Sequence, residues 1–218
     1  MRDVNSTRAA GLGTRSRWLR FGPTRLALAL AVAGCSSGES DRAAPRDQGP
    51  ASVESRVEAI QTEADRIDAA VDAAEVAGRL LTREYSHWQF SGLLDGSTPR
   101  FLSARLTQGR VVREENYYFA DGGLRLVRVD KWWDVDEPDQ APEPPTRRYF
   151  HVENDRVIRL THEVTSSPPV TQTTDLDEPA ATFIARSRSI SGILFRTGGD
   201  SATVQSLQLF PEAERVKP

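Results

Sequence analysis

The sequence predicts an α+β fold, in which an N-terminal amphipathic helix packs on a twisted antiparallel meander of about six strands, followed by a shorter C-terminal helix. Three observations predict it. Apolar residues recur every three or four positions over residues 53–85, which is the period of a helix. From residue 87 onward the apolar period changes to two, which is typical of strands. Turn signals rich in Asp, Asn and Gly separate these strands at short intervals, as sequential hairpins require.

The first 35 residues have the layout of an export signal. Several arginines, the last of them Arg25, precede an apolar run from Leu26 to Ala33, and the single cysteine of the chain, Cys35, follows. A positive region, a short apolar region and small residues before a cleavage site are typical of a secretory signal peptide. The apolar run is too short for a transmembrane helix, which needs roughly 20 residues.

The last four residues of this segment, Val32-Ala33-Gly34-Cys35, resemble the lipobox of bacterial lipoproteins. The resemblance covers only this N-terminal segment and implies cleavage before Cys35, diacylglyceryl transfer to its thiol, and a protein held at a membrane by fatty chains. Because Ser36 rather than aspartate follows, the sorting rule of that family implies the periplasmic side of the outer membrane in a host with two membranes. The alternative is cleavage after Ala31-Val32-Ala33, which would leave Cys35 as a free thiol.

The sequence therefore divides into a signal peptide (1–34), a lipidated cysteine with a flexible linker (35–52) and a single α+β domain (53–218). The linker is polar and rich in Ser, Gly, Pro and Ala. The first 34 residues contain six arginines and one aspartate, so the remaining 184 carry 22 basic and 30 acidic residues, a net charge of −8. Such an acidic chain argues against a nucleic-acid partner, which selects basic surfaces.

The helix predicted over 53–85 begins after Ser52, a suitable N-cap. Its apolar stripe consists of Val53, Val57, Ile60, Ala64, Ile67, Val71, Ala74, Gly78 and Leu81. This spacing suits packing on the sheet of the same domain and also pairing with a second helix in a dimer. The small residues of the stripe favour packing within the domain.

Six strands are predicted after the helix, over residues 87–94, 100–107, 110–119, 124–133, 147–153 and 156–164. Asp121-Gly122 suits a type I′ turn that places Phe119 opposite Leu124 and Tyr117 opposite Leu126. The apolar phase slips within the fourth strand, which predicts a β-bulge near Leu126-Val127.

The remaining segments are predicted to be connections and the second helix. Residues 135–146 are acidic, carry four prolines and form a long connection between the fourth and fifth strands, and residues 166–175 form a second polar loop. A helix is predicted over about 178–194, with a strand over 188–195 as the alternative. Residues 204–209 suggest a short last strand.

Signatures of catalysis are lacking in the sequence. It contains no nucleophile elbow, no phosphate-binding glycine loop and no paired cysteines. His151 and His162 flank the turn at Asn154-Asp155, which places His151 opposite Ile158 and His162 opposite Arg147. Both histidines are then half-exposed on one face, too far apart for one metal. We expect a protein that is not an enzyme and has neither a cofactor nor a metal site.

Four aromatic residues are the candidate contacts with a partner or a ligand: Tyr117, Tyr118, Trp132 and Trp133. Adjacent strand residues face opposite sides of a sheet. One member of each pair is therefore expected in the core and the other on the surface, beside Arg125 and Lys131. Exposed aromatic residues and arginines are enriched in protein interfaces.

Taken together, these features lead us to expect a membrane-anchored, exported lipoprotein that acts as an interaction or assembly module of the cell envelope. Its expected partners are the membrane, through the anchor on Cys35, and a protein of the envelope, with no nucleic acid. An alternative function is a carrier that binds an apolar ligand between the curved sheet and the helix, and a third is a hydrolase.

Overall fold

The computed structural model describes residues 51–135 and 141–195. The predicted signal peptide, the lipobox with Cys35, nearly all of the linker and the suggested strand over 204–209 lie outside the described residues. The described residues all belong to one compact unit.

Within the described residues, an eight-stranded antiparallel sheet and two helices form the fold, so the α+β class is confirmed. Each strand pairs with its chain neighbours, and the order across the sheet is the order along the chain. The elements are α1 (Val53–Val76), β1 (Leu81–Tyr85), β2 (Trp88–Asp95), β3 (Thr98–Gln108), β4 (Val111–Ala120), β5 (Gly123–Trp133), β6 (Thr146–Glu153), β7 (Arg156–Val164), β8 (Val170–Pro179) and α2 (Ala181–Phe195).

The first helix is shorter than predicted, because it ends at Val76 and not at residue 85. Gly78, with a φ of +65°, turns the chain out of the helix, and Leu81–Tyr85 then pair with β2. Leu81 continues the spacing of the helical stripe, so periodicity alone did not reveal the change. The predicted cap is present, since the Ser52 side chain accepts a hydrogen bond from the Ser55 N–H at 3.2 Å.

The sheet has eight strands where about six were predicted, because β1 and β8 lie at its two edges outside the predicted set. β8 occupies most of the segment predicted as a polar loop. Its side chains are exposed on both faces except for Leu176, so the strand lacks the apolar alternation that marks a core strand. The second helix begins at Ala181, because Glu178 and Pro179 still belong to β8, and the alternative strand over 188–195 is wrong.

Two β-bulges shift the predicted register. Phe119 faces Leu124 as predicted, but Tyr117 faces Val127, because Arg125 is the extra residue and the bulge lies just before its predicted place. Ile158 is the extra residue between β6 and β7. His151 therefore faces Arg159, and His162 faces Arg148. The two histidines lie on opposite faces of the sheet and not on one.

Each helix packs on a different face of the sheet and builds a separate core. On the face covered by α2, the core contains Leu102, Tyr117, Val127 and Phe150 with Phe183 and Ile190 of the helix. On the face covered by α1, the core contains Phe101, Tyr118 and Leu126 with Ile60, Ala64 and Ile67. We call these faces the α2 face and the α1 face.

Both cores lie toward the same end of the sheet, where the tight turns at 96–97, 121–122 and 154–155 are found. We call it the covered end. The opposite end carries the turns at 86–87 and 109–110 and residues 134–135, 141–145 and 165–169. Side chains of this open end are mostly half-exposed, since neither helix reaches across them within the described part of the chain.

Candidate functional site

The candidate site lies on the α2 face at the open end of the sheet. Strand pairing places five half-buried or half-exposed side chains in one row across neighbouring strands: Tyr85, Trp88, Leu106, Arg113 and Lys131. Register and strand alternation add three further side chains to the same surface: Trp133, Arg148 and His162. We call these eight residues the cationic face.

The aromatic part of the cationic face is continuous with the core. The Trp88 ring stacks on Phe90, with centroids 5.7 Å apart and planes 9° apart, and Phe90 is fully buried. Tyr85 also contacts Phe90 edge-on, with the two ring centroids 6.1 Å apart. The buried Phe90 ring therefore restricts the rotamers of Tyr85 and Trp88, which lowers the conformational entropy that these side chains would lose on binding.

Basic side chains gather on this surface because successive side chains of a strand point to opposite faces of the sheet. Along β4, Arg113 points to the α2 face and Glu114 to the α1 face, and along β5 Lys131 and Asp130 are separated in the same way. Among the strand residues described at the open end, Glu115 is the acidic side chain on the α2 face, and it is buried in an ion pair with Arg186. Glu143, on the connection before β6, accepts a hydrogen bond from Lys131 at 2.7 Å.

Two polar nitrogen atoms on the cationic face are buried without a hydrogen-bond partner in the described part of the chain. They are the indole Nε1 of Trp133 and the imidazole Nε2 of His162. An unpaired buried polar group costs about 1–3 kcal/mol. Burial, with a further effect from Arg148, lowers the pKa of His162, so its ring is neutral at neutral pH. A docked molecule that offers hydrogen-bonding groups here would relieve this cost.

On the α1 face, a network of ion pairs joins α1 to the middle of the sheet. Asp68 of α1 accepts hydrogen bonds from the Tyr118 hydroxyl and from Arg128, both at 3.0 Å. Arg128 also bonds Asp130 at 3.1 Å, and Arg147 bonds the other oxygen of that carboxylate at 2.5 Å. This network fastens α1 to the sheet.

The two tyrosines predicted as contacts are both buried, with exposures of 0% for Tyr117 and 1% for Tyr118. The expectation that one of them faces outward is wrong, because a helix covers each face of the sheet. The Tyr117 hydroxyl donates to Glu115. Burial raises the pKa of both hydroxyls well above the ordinary value.

The two tryptophans lie on opposite faces and are each partly exposed. Trp132 is on the α1 face, where the Arg105 guanidinium lies 5.2 Å from its ring centroid. Trp133 is the one predicted contact that belongs to the cationic face. Lys131 also lies there, whereas Arg125 lies at the covered end beside Asp121, at 3.2 Å.

Most residues of the cationic face were not predicted from the sequence, although the sequence contains a signal for them. Adjacent residues of opposite charge occur within strands as Arg113-Glu114 and Asp130-Lys131. In strands such pairs sort their charges onto opposite faces. Trp88, Leu106 and Arg148 join the surface only through the register across strands, which a single sequence does not show.

The described residues contain no group of three or more His, Cys, Asp or Glu side chains placed to hold a metal ion. Within the same residues, neither helix is both long enough and apolar enough to cross a membrane. Comparison with known proteins finds no family model that matches the chain, and no curated protein or solved structure that is similar to it.

Proposed function

We propose that the protein is an exported lipoprotein of the cell envelope that acts without catalysis, as an interaction module. Its cationic face docks an acidic region of a protein partner. The observation that carries the proposal is the segregation of Arg113, Lys131 and Arg148 onto one aromatic surface, in a chain whose charge is otherwise acidic.

Charge complementarity supports an acidic partner rather than a basic one. Complementary potentials accelerate encounter and fix orientation, while aromatic and arginine side chains supply most of the binding free energy in protein interfaces. Carboxylate groups of the partner would be attracted by the positive charge of Arg113, Lys131 and Arg148. Main-chain or side-chain oxygens could accept from the indole N–H of Trp133, which lacks an acceptor within the described residues.

The proposed anchor rests on the lipobox-like residues Val32 to Cys35. One acyl chain gives only marginal membrane binding, so stable attachment needs two or more chains on the same residue. The linker over 35–52 would then hold the domain away from the bilayer and leave the cationic face accessible. In a host with two membranes, we propose the periplasmic side of the outer membrane.

The anchor is tested by fractionating cells that express the full chain or its Cys35→Ser variant. We expect the wild-type protein in the membrane fraction and the variant outside it, because serine cannot accept the diacylglyceryl group. A Ser36→Asp variant is the matched control and should remain membrane-bound. Recovery of Cys35→Ser with the membranes, in the same proportion as the wild type, contradicts the anchor.

Docking is tested with a photo-reactive phenylalanine analogue placed at Leu106, in the centre of the cationic face. The matched control carries the analogue at Arg66, whose side chain is 71% exposed on the outer side of α1. On irradiation of the native envelope, we expect a discrete cross-linked product from position 106 and none from position 66. Identical products from both positions, or none from position 106, contradict a docking surface there.

A further inference from the structure

A groove runs along the flank of α2 that faces away from Arg186, near the tips of β3 and β4. Its volume is about 370 Å³, and Leu102, Phe119, Phe195 and Pro99 give it an apolar lining. Ligand pockets typically have volumes of roughly 300–1,000 Å³. The groove lies at the covered end of the sheet and is separate from the cationic face.

The polar edge of this groove carries one cation. Arg188 lines the groove, its side chain is exposed, and it forms no salt bridge with any residue in the ranges 51–135 and 141–195. Ser187 and Ser191 also line the groove, and the Ser187 hydroxyl donates to the Ile184 carbonyl at 2.9 Å. An apolar channel with a cation at its edge matches a molecule that has an apolar chain and a negatively charged head.

Gly192 leaves room for such a chain. It lines the groove in the middle of α2, and a Cβ atom added there would meet no other atom within 4 Å. Glycine within a helix costs about 1 kcal/mol relative to alanine. At Gly192 this cost brings no close helix packing in return, in contrast to Gly92, where a Cβ would lie 3.0 Å from Leu194 and 3.2 Å from Leu102.

We infer that the groove beside α2 binds an anionic amphiphile with a single acyl chain. The chain lies on Pro99, Phe119 and Phe195 and passes over Gly192, and the acidic head pairs with Arg188. Pairing with the guanidinium adds a charge-assisted hydrogen bond that a neutral head group cannot form. Binding here does not require a partner on the cationic face.

The test measures displacement of a fluorescent fatty acid, dansyl-undecanoate, from the full mature chain by dodecanoate or by dodecanol. We expect saturable binding of the probe and displacement by dodecanoate at about tenfold lower concentration than by dodecanol, a ratio that corresponds to one charge-assisted contact. In the Arg188→Gln variant the two competitors should become equal. Failure of the full chain to bind the probe, or an unchanged ratio in Arg188→Gln, overturns the proposal.

A second variant fills the groove directly. Gly192→Phe should reduce affinity for the probe by about tenfold or more, because its ring occupies the space of the chain. Ser189→Phe, on the exposed side of α2, is the matched control and should leave affinity unchanged. Circular dichroism verifies that both variants remain folded, and Gly192→Leu replaces Gly192→Phe if the latter does not. Equal affinity of the filled variant and the wild type overturns the proposal.

Discussion

Removal of the guanidinium from Arg186 tests how α2 is fixed on the sheet. Arg186 donates to Glu115 at 2.8 Å, and their side chains are only 5% and 1% exposed. In Arg186→Met the Glu115 carboxylate stays buried without its cation. Breaking a buried pair in this way costs about 3–5 kcal/mol. Because the Tyr117 hydroxyl still donates to Glu115, we expect the lower end of this range, about 3 kcal/mol.

A loss of this size is large for a domain, since total stabilities are about 5–15 kcal/mol. Urea unfolding at neutral pH, followed by circular dichroism, measures it directly. The double variant Glu115→Gln/Arg186→Met removes both charges and keeps an acceptor for Tyr117, so it should recover at least about half of the loss. Arg156→Met breaks an exposed pair with Asp177 and should have a far smaller effect. A loss under about 1 kcal/mol for Arg186→Met, or no recovery in the double variant, refutes this reasoning.

Three further predictions concern stability. Burial lowers the pKa of His151 to about 4, so the unfolded chain takes up a proton at this residue more readily than the folded protein does. The free energy of unfolding should therefore be unaffected by this residue above pH 6.5 and should fall by about 3 kcal/mol as the pH is lowered to 4. Urea denaturation at several pH values measures this loss, which His151→Gln should lack. Gly92→Ala should lower the free energy of unfolding by about 1–3 kcal/mol, because the added Cβ would press on Leu194. Gly192→Ala should raise it by about 0.5–1 kcal/mol, because alanine is the better helix former and the added Cβ meets no atom within 4 Å. If urea unfolding shows changes of the same sign for both variants, the packing of α2 described above is contradicted. Ser52→Ala should cost about 1 kcal/mol through loss of the α1 cap, and an unchanged thermal midpoint would show that the cap contributes nothing.

The sequence predicted elements where local chemistry alone determines the structure. The apolar stripe of α1 and the turn at Asp121-Gly122 belong to this group, because helix period and turn conformation depend on neighbouring residues. β8 was missed because an edge strand outside the core needs no apolar alternation. Its main-chain pairing with β7 defines it, and its side chains do not.

Burial and register could not be predicted, because they depend on distant parts of the chain. Tyr117 and Tyr118 are both buried since α2 and α1 cover opposite faces, whereas one of the two was expected on the surface. One extra residue at Ile158 moved His162 opposite Arg148 and so onto the cationic face. The composition of the cationic face therefore depends on the strand register that the bulges set.

Charge reversal on the cationic face tests the central proposal most directly. The measurement is the yield of the cross-linked product from position 106 in native envelopes, compared between the parent chain and Arg113→Glu/Lys131→Glu, at equal abundance and thermal stability. The matched control is Arg66→Glu, which changes charge on the outer side of α1. We predict that the product disappears in the double variant and persists in the control. Equal yields in all three proteins would contradict docking of an acidic partner on this face.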